Sequence, residues 1–265
     1  MSAKVACPVR LAVTTCREPS STGEAAARAS ALRHGLPFLE RGGRALAALA
    51  DAGSAEALLV LSPARAALWV EGAEHAWSAG MGELRARRLS AGERSTRDGF
   101  LEAAGLAPGD RVLDATLGLG MDALVAAVAV GPGGLVLGLE ASPALAALTA
   151  EGLARAAEPA ARRIDVRCAD AGALLTELAP RSFDVVVFDP MFRTARAGAA
   201  GFDLVRRLGD ARPLSAETLA RARVVARRWV VVKDGTPGWD LARLGLTPLP
   251  CARWAKRLYA RVPAG

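Results

Sequence analysis

The chain is predicted to be an α/β protein, with a mostly parallel sheet covered by helices and a small α/β unit ahead of it. Three observations predict this. From about Gly99 onward, apolar strand-like runs alternate with helical stretches, the pattern of a parallel sheet built from crossover units. The run Val185-Val-Val-Phe188 is apolar throughout, as a strand buried on both faces must be. Four successive strands end in an acid or are followed by one, namely Asp114, Glu140, Asp170 and Asp189.

The N-terminal elements read as follows. Residues 11–15 form a short strand, and 22–33 a small helix with Thr22 as its N-cap. Residues 36–39 are extended, Arg41-Gly-Gly43 is a turn, and 45–52 is helical. Two apolar runs, 57–61 and 66–70, joined through Ser62-Pro63, form a hairpin. Gly80-Met-Gly82 marks a hinge. The chain therefore divides into an N-terminal α/β domain over 1–82, a charged and partly exposed connector over 83–98, and a larger domain over 99–265.

In that larger domain strands are expected at 111–115, 135–140, 164–168, 184–189 and 229–233. Helices are expected at 121–130, 144–157 and 171–178, and at 215–227 with Ser215 as N-cap. Two extended segments, 246–249 and 254–262, suit a closing antiparallel pair, so the C-terminal strand should run against the sheet.

Composition excludes several classes. With 52% hydrophobic and 23% charged residues the chain is globular rather than disordered. The longest apolar stretch, 123–139, is broken by Gly131-Pro-Gly-Gly134 and cannot span a bilayer. Only Lys4 and a brief apolar run ending at Pro8 open the chain, a poor secretory signal, so the cytoplasm is the expected location. The four cysteines (Cys7, Cys16, Cys168, Cys251) are scattered and there are two histidines, so no metal is expected.

Charge is uneven. Residues 191–265 carry 15 basic and 5 acidic side chains, whereas residues 1–190 carry 19 basic and 22 acidic ones. Only three of the 34 basic residues are lysines, so an arginine-rich composition explains Arg over Lys but not the excess at one end. A face that binds a polyanion such as nucleic acid produces that asymmetry.

In open α/β sheets ligands bind beyond the carboxyl ends of the strands, where the four acids fall. Between the first strand and its helix, Gly118-Leu-Gly120 permits close backbone approach at a helix N-terminus. The pattern Gly118-x-Gly120-x-x-Ala123, with Glu140 twenty residues beyond Gly120, also satisfies a dinucleotide fingerprint, so a nicotinamide cofactor is a rival. Asp114 argues against it: a carboxylate four residues before the first glycine repels a pyrophosphate and suits a cationic ligand such as the aminoacyl part of S-adenosylmethionine. Glu140 can then accept from both ribose hydroxyls, and Asp170 can meet an adenine amine or cap the following helix.

Asp189-Pro190-Met191-Phe192 carries the chemistry. Proline ends the central strand and leaves Asp189 at the sheet edge. Phe192 can stack on a planar base while Asp189 and a backbone carbonyl accept the hydrogens of its exocyclic amine and aim the nitrogen lone pair at the methyl. Arg193, Arg196 and Lys233 could meet phosphates near this pocket, and Arg206-Arg207 and Arg227-Arg228, read as helical, form a general basic face.

Taken together, Val112-Leu-Asp-Ala-Thr-Leu-Gly-Leu-Gly-Met-Asp-Ala123, Gly138-Leu-Glu-Ala141, Asp184-Val-Val-Val-Phe-Asp-Pro-Met-Phe192 and Arg228-Trp-Val-Val-Val-Lys233 resemble the ribosomal RNA small subunit methyltransferase J family over roughly residues 95–235. The resemblance implies a Rossmann-like class I methyltransferase sheet. It also implies S-adenosylmethionine as cofactor, and transfer of a methyl group to N2 of a guanine in small-subunit rRNA, free or in a ribosomal particle. It implies further that the cofactor touches Met121, Asp122, Glu140, Ala141, Asp170, Ala171 and Asp189. The chain departs from the family at Met121, where Arg is usual, and at Arg193, where Pro is usual. Its first 80 residues look more like a set of uncharacterised bacterial methyltransferase-like proteins.

Overall fold

The computed structural model describes residues 9–93, 98–190, 200–252 and 255–265. Two sheets organise them. The N-terminal sheet has the order β1-β2-β3-β4, with β1 (Leu11–Thr15) parallel to β2 (Ala57–Leu61). The hairpin of β2 with β3 (Ala66–Val70) forms where expected, and β4 (Ala73–Ala76) extends it antiparallel. Helix α1 (Ser21–His34) starts one residue early because Ser20, not Thr22, caps it by accepting from Gly23 N. Helix α2 (Leu46–Ala52) buries Leu49 and Ala50 on the face of the sheet that carries Ala12, Leu58 and Val60.

The expected connector contains a helix, α3 (Met81–Ser90), and it is less solvated than its charge suggests. Gly82 and Ala86 are buried, and a Cβ on Gly82 would come within 2.7 Å of the Met121 carbonyl. Glycine is therefore what lets α3 cross close to the following helix. A short helix, α4 (Gly99–Ala104), capped by Asp98, leads into the second sheet.

That sheet has six strands. They are β5 (Arg111–Asp114), β6 (Leu135–Glu140), β7 (Ile164–Cys168), β8 (Phe183–Phe188), β9 (Ala226–Gly235) and β10 (Arg257–Pro263), in the order β10-β9-β8-β5-β6-β7. All neighbours are parallel except β10 against β9. The antiparallel C-terminal strand is thus present, but its partner is β9. The 246–249 segment forms no strand; Leu246 N donates to Leu241 O at 2.8 Å and Leu249 N to Tyr259 O at 2.7 Å. Arg227 and Arg228 lie in β9 rather than in a helix, because α9 (Ala216–Val225) hands over to β9 with no loop between.

Strand alternation sorts the core into two layers. Val112, Val136, Val185, Val187 and Val231 pack with Phe100 of α4, with Leu124 and Val125 of α5 (Met121–Val130), and with Leu153 of α6 (Pro143–Arg155). Leu113, Leu137, Val186, Phe188 and Val230 pack on the other face with Leu219 and Ala222 of α9 and Leu241 of α10 (Trp239–Arg243). Between β7 and β8 lies the single turn α7 (Ala171–Leu174), and α8 (Ala200–Leu208) precedes α9.

Helix α6 joins the two sheets. Ala144, Leu145, Ala147 and Leu148 share a core with Leu11, Val13, Leu59 and Leu68 of the N-terminal sheet. Beside that core Glu151 is buried and accepts from Ser30 Oγ (2.7 Å), Arg33 Nη1 (2.7 Å) and Arg155 Nη1 (2.7 Å), with His34 Nε2 at 3.1 Å. Burial works against its charge, but the hydrogen bonds from His34, Arg155 and Ser30 hold the carboxyl down to about 2. No helix among the described residues is long and apolar enough to cross a membrane.

Candidate active site

A cavity of about 490 Å³ opens at the carboxyl ends of β5, β6, β7 and β8, within the range of about 300–1,000 Å³ typical of small-molecule sites. It sits where the sheet order reverses direction, with β6 and β8 on opposite sides of β5. Asp114, Gly118, Met121, Asp122, Glu140, Ala141, Asp170, Ala171, Asp189 and Pro190 all line it. Gly120 does not. It sits behind the loop with φ 79, and its Cα faces the side chains of Thr149 and Leu153. Met191, Phe192, Arg193 and Arg196 lie outside the described residues.

The glycine loop is built against its own strand ends. Gly118 N donates to Glu140 Oε2 at 3.0 Å, and Thr149 Oγ1 donates to the Gly118 carbonyl at 2.7 Å. The other Glu140 oxygen accepts from Ser142 N at 2.9 Å. Burial pushes the Glu140 carboxyl up, opposed by the Ser142 and Gly118 amides, and each oxygen keeps lone-pair capacity for a ligand hydroxyl. Asp170 caps α7 by accepting from Ala173 N at 2.8 Å, and its second oxygen pairs with Arg212. Burial is outweighed there, and the Ala173 amide and Arg212 hold Asp170 below its ordinary value.

Asp114 differs. It is buried at the end of β5, accepts from Thr116 N at 3.1 Å, and pairs with no cation among the described residues. Burial pushes its carboxyl up to about 7, and the neighbouring charges of Asp122 and Asp189 add to this. A buried acid lining a cavity without a counter-charge is suited to a cationic ligand. The residues present therefore fit S-adenosylmethionine: an acid without a direct ion-pair partner among the described residues for its cationic end, a carboxylate at the end of β6 for a diol, and an open glycine loop between them.

Thr116 links two strand ends, since its Oγ1 accepts from Asp189 N at 2.6 Å while its amide holds Asp114. Lys233 is not a surface contact for phosphates. It is buried in β9, donates from Nζ to Asp122 Oδ2 at 2.8 Å and is ion-paired with Asp189 Oδ2. Parallel pairing places Lys233 one residue past the β8–β9 ladder position Phe188–Val232, so its side chain and that of Asp189 meet at the same edge.

Sequence reasoning missed Thr116, Arg85, Arg212 and the Ser78–Gly80 edge of the cavity. Thr116 was visible as the only hydroxyl in the loop. The others come from segments 30 or more residues away in the chain and carry no local signal. Much of the C-terminal basic excess is engaged: Arg207 with Glu71, Arg212 with Asp170 and Asp210, Arg227 with Asp184, Arg228 with Asp110, and Arg243 with Asp240.

Comparison with known proteins agrees with this geometry. The family described as "Putative SAM-dependent methyltransferase" matches residues 56–243. The uncharacterised protein YpiP of Bacillus subtilis (strain 168) is 33% identical over 229 residues, which are 84% of this chain and 88% of that protein. The ribosomal RNA small subunit methyltransferase J of Alkalilimnicola ehrlichii is 38% identical over 165 residues. That match takes in 57% of this chain and 61% of the relative, less than two thirds of it. A solved S-adenosylmethionine-dependent methyltransferase from Neisseria gonorrhoeae shares the fold with a TM-score of 0.62 at 22% identity, over 95% of each chain.

Proposed function

This chain belongs to the S-adenosylmethionine-dependent methyltransferase family, and we propose that it methylates the exocyclic amine, N2, of a guanine in small-subunit ribosomal RNA. When bound, S-adenosylmethionine supplies a methyl group on a sulfonium, a donor already activated for in-line transfer. The protein then has to supply position, desolvation and oriented charge.

The observation that carries the reading is Asp189: a carboxylate at the end of the central strand, lining the same cavity as Asp114, Glu140 and Asp170. In that place it accepts the hydrogens of an amine, orients the nitrogen lone pair toward the cavity and receives the released proton or passes it to water. Pro190 lines the same cavity; a stacking role for Phe192, and a substrate role for Met191, are assigned from the sequence, since both lie outside the described residues. Asp114 takes the cationic end of the cofactor, Glu140 its ribose and Asp170 its adenine amine, with Gly118, Met121, Asp122, Ala141 and Ala171 forming the walls. Cys168 does not suit a covalent route, because burial and the nearby Glu140 charge push its thiol up.

Three observations support RNA as the substrate class. The relative from A. ehrlichii bears that name. Residues 191–265 carry 15 basic and 5 acidic side chains, an excess larger than the set of arginines ion-paired there among the described residues. Trp239, 63% exposed just past the carboxyl end of β9, offers a base a stacking face. Arg193 and Arg196 follow the catalytic turn and are assigned to phosphates.

The test is Asp189→Ala, assayed for methyl transfer to unmodified small-subunit rRNA. Transfer should fall by two orders of magnitude or more, roughly the worth of an acid–base group, with an unchanged circular dichroism spectrum. Retained transfer sinks the assignment.

A further inference from the structure

Lys233 is a buried cation held between two acids, with its side chain 5% exposed. Behind it, Asp122 uses its second oxygen to accept from Arg85 Nη1 at 2.6 Å. Arg85 in turn grips Asp98 with two nitrogens, Nε at 2.7 Å and Nη2 at 2.9 Å. A chain of alternating charge, Asp98–Arg85–Asp122–Lys233–Asp189, therefore runs from the N-cap of α4 through α3 and the first turn of α5 to the end of β8.

Such a chain is costly to bury unless each charge is matched. Each inner member here touches two of opposite sign, and Asp189, at the cavity end and with its side chain 25% exposed, lines the cavity with capacity left to accept. We propose that Lys233 is a positioning residue: its ammonium fixes the Asp189 carboxyl at the cavity wall and opposes the loss of its charge, while Arg85 locks Asp122 behind it. This rests on the reading of Asp189 given above. Lys233 itself does not carry the proton. Burial alone would lower its ammonium, but Asp189 and Asp122 more than reverse that and raise it, so it stays charged.

The charged neighbours of Asp189 come from four elements. They are Lys233 of β9, Asp122 of α5, Asp114 of β5 and Arg257 of β10, with the neutral but titratable Tyr259 also on β10. Burial pushes the Asp189 carboxyl up and Asp122 adds to it, while Lys233 is the strongest opposing group and Arg257 acts in the same sense. Removing the Lys233 charge leaves those upward pushes largely unopposed.

The experiment uses the full chain with carboxyl-13C aspartate and needs neither substrate nor cofactor. The Asp189 signal is assigned by its loss in Asp189→Asn and titrated by NMR. In Lys233→Met its midpoint should rise by about one unit or more, the effect expected of losing an opposite charge at contact distance. Lys233→Gln, which keeps hydrogen bonding without charge, should show the same rise and serves if the methionine variant does not fold. A purely structural lysine would lower thermal stability and leave the midpoint where it was; that result, or loss of the fold in both variants, overturns the proposal. The methyl-transfer assay of Asp189→Ala fails or succeeds separately, so an error in the role of Asp189 is distinguishable from an error in the role of Lys233.

Discussion

The Gly118 amide donates to the Glu140 carboxylate at 3.0 Å, so the glycine loop after β5 and the acid at the end of β6 form one unit. Glu140→Ala removes both the ribose acceptor and the loop's anchor. Charge-assisted hydrogen bonds are worth about 1.5–3 kcal/mol each, which corresponds to binding of S-adenosylhomocysteine weaker by about tenfold to hundredfold. Calorimetry checks this, and an unchanged dissociation constant would remove Glu140 from the site.

Asp114 gives a pH dependence with a definite sign. Its carboxyl is pushed up to about 7 in the protein, so below that pH it is neutral and above it is charged. Affinity for S-adenosylmethionine should therefore rise as pH climbs from about 6 to 8, with protons released on binding near neutrality. Asp114→Asn should flatten that dependence. The folded-state value lies above the ordinary 3.8, so stability is lost as pH rises from about 3.8 through about 7, and the full cost is present above that. Asn escapes that cost, and the variant should be more stable than the native chain at pH 8 by about 1–2 kcal/mol while binding cofactor less well. A variant both less stable and equally pH-dependent would contradict the role.

Glu151 ties α1 to α6 and with it the N-terminal sheet to the rest. Its carboxyl is held at about 2, below the ordinary 4.5, so its contribution is complete above about 4.5 and lost as pH falls toward about 2. Glu151→Ala leaves Arg33, Arg155 and Ser30 facing a vacated buried position and should cost about 3 kcal/mol at pH 7. Urea unfolding measures it, and the difference from the native chain should shrink at low pH.

Much of this fold was legible because glycine and proline punctuate it. Strands β6 and β7 and helix α5 fall where expected, bounded by Gly118-Leu-Gly120 and Gly131-Pro-Gly-Gly134. Helix α3 was misread because Arg85, Arg87 and Arg88 look like a solvated face, whereas the helix is anchored by its small residues Gly82 and Ala86 and by an internal ion pair at Arg85. Strand β4, Ala-Glu-His-Ala, lacks β-branched residues and exists through pairing with β3. The four strand-end acids were visible as a set, because a parallel sheet brings successive strand ends together. The true partners of Lys233 were not, since Asp122 and Asp189 are 111 and 44 residues away and only the sheet order makes them neighbours.

Exposed Trp239 and the basic C-terminal third predict how RNA is held. Binding to unmodified small-subunit rRNA should weaken steeply with salt as counterions are no longer released. Trp239→Ala should weaken it further by roughly tenfold, the worth of about one stacked base, with cofactor affinity unchanged. Filter binding across a salt series reads both effects. Salt-insensitive binding would direct attention to a small-molecule substrate.

The most direct measurement is transfer of a labelled methyl group from S-adenosylmethionine to total RNA lacking the modification, followed by nucleoside mass spectrometry. The label should appear in N2-methylguanosine derived from the small subunit and vanish with Asp189→Ala. Label in protein or a small molecule, in another nucleoside, or in none would contradict the proposed function.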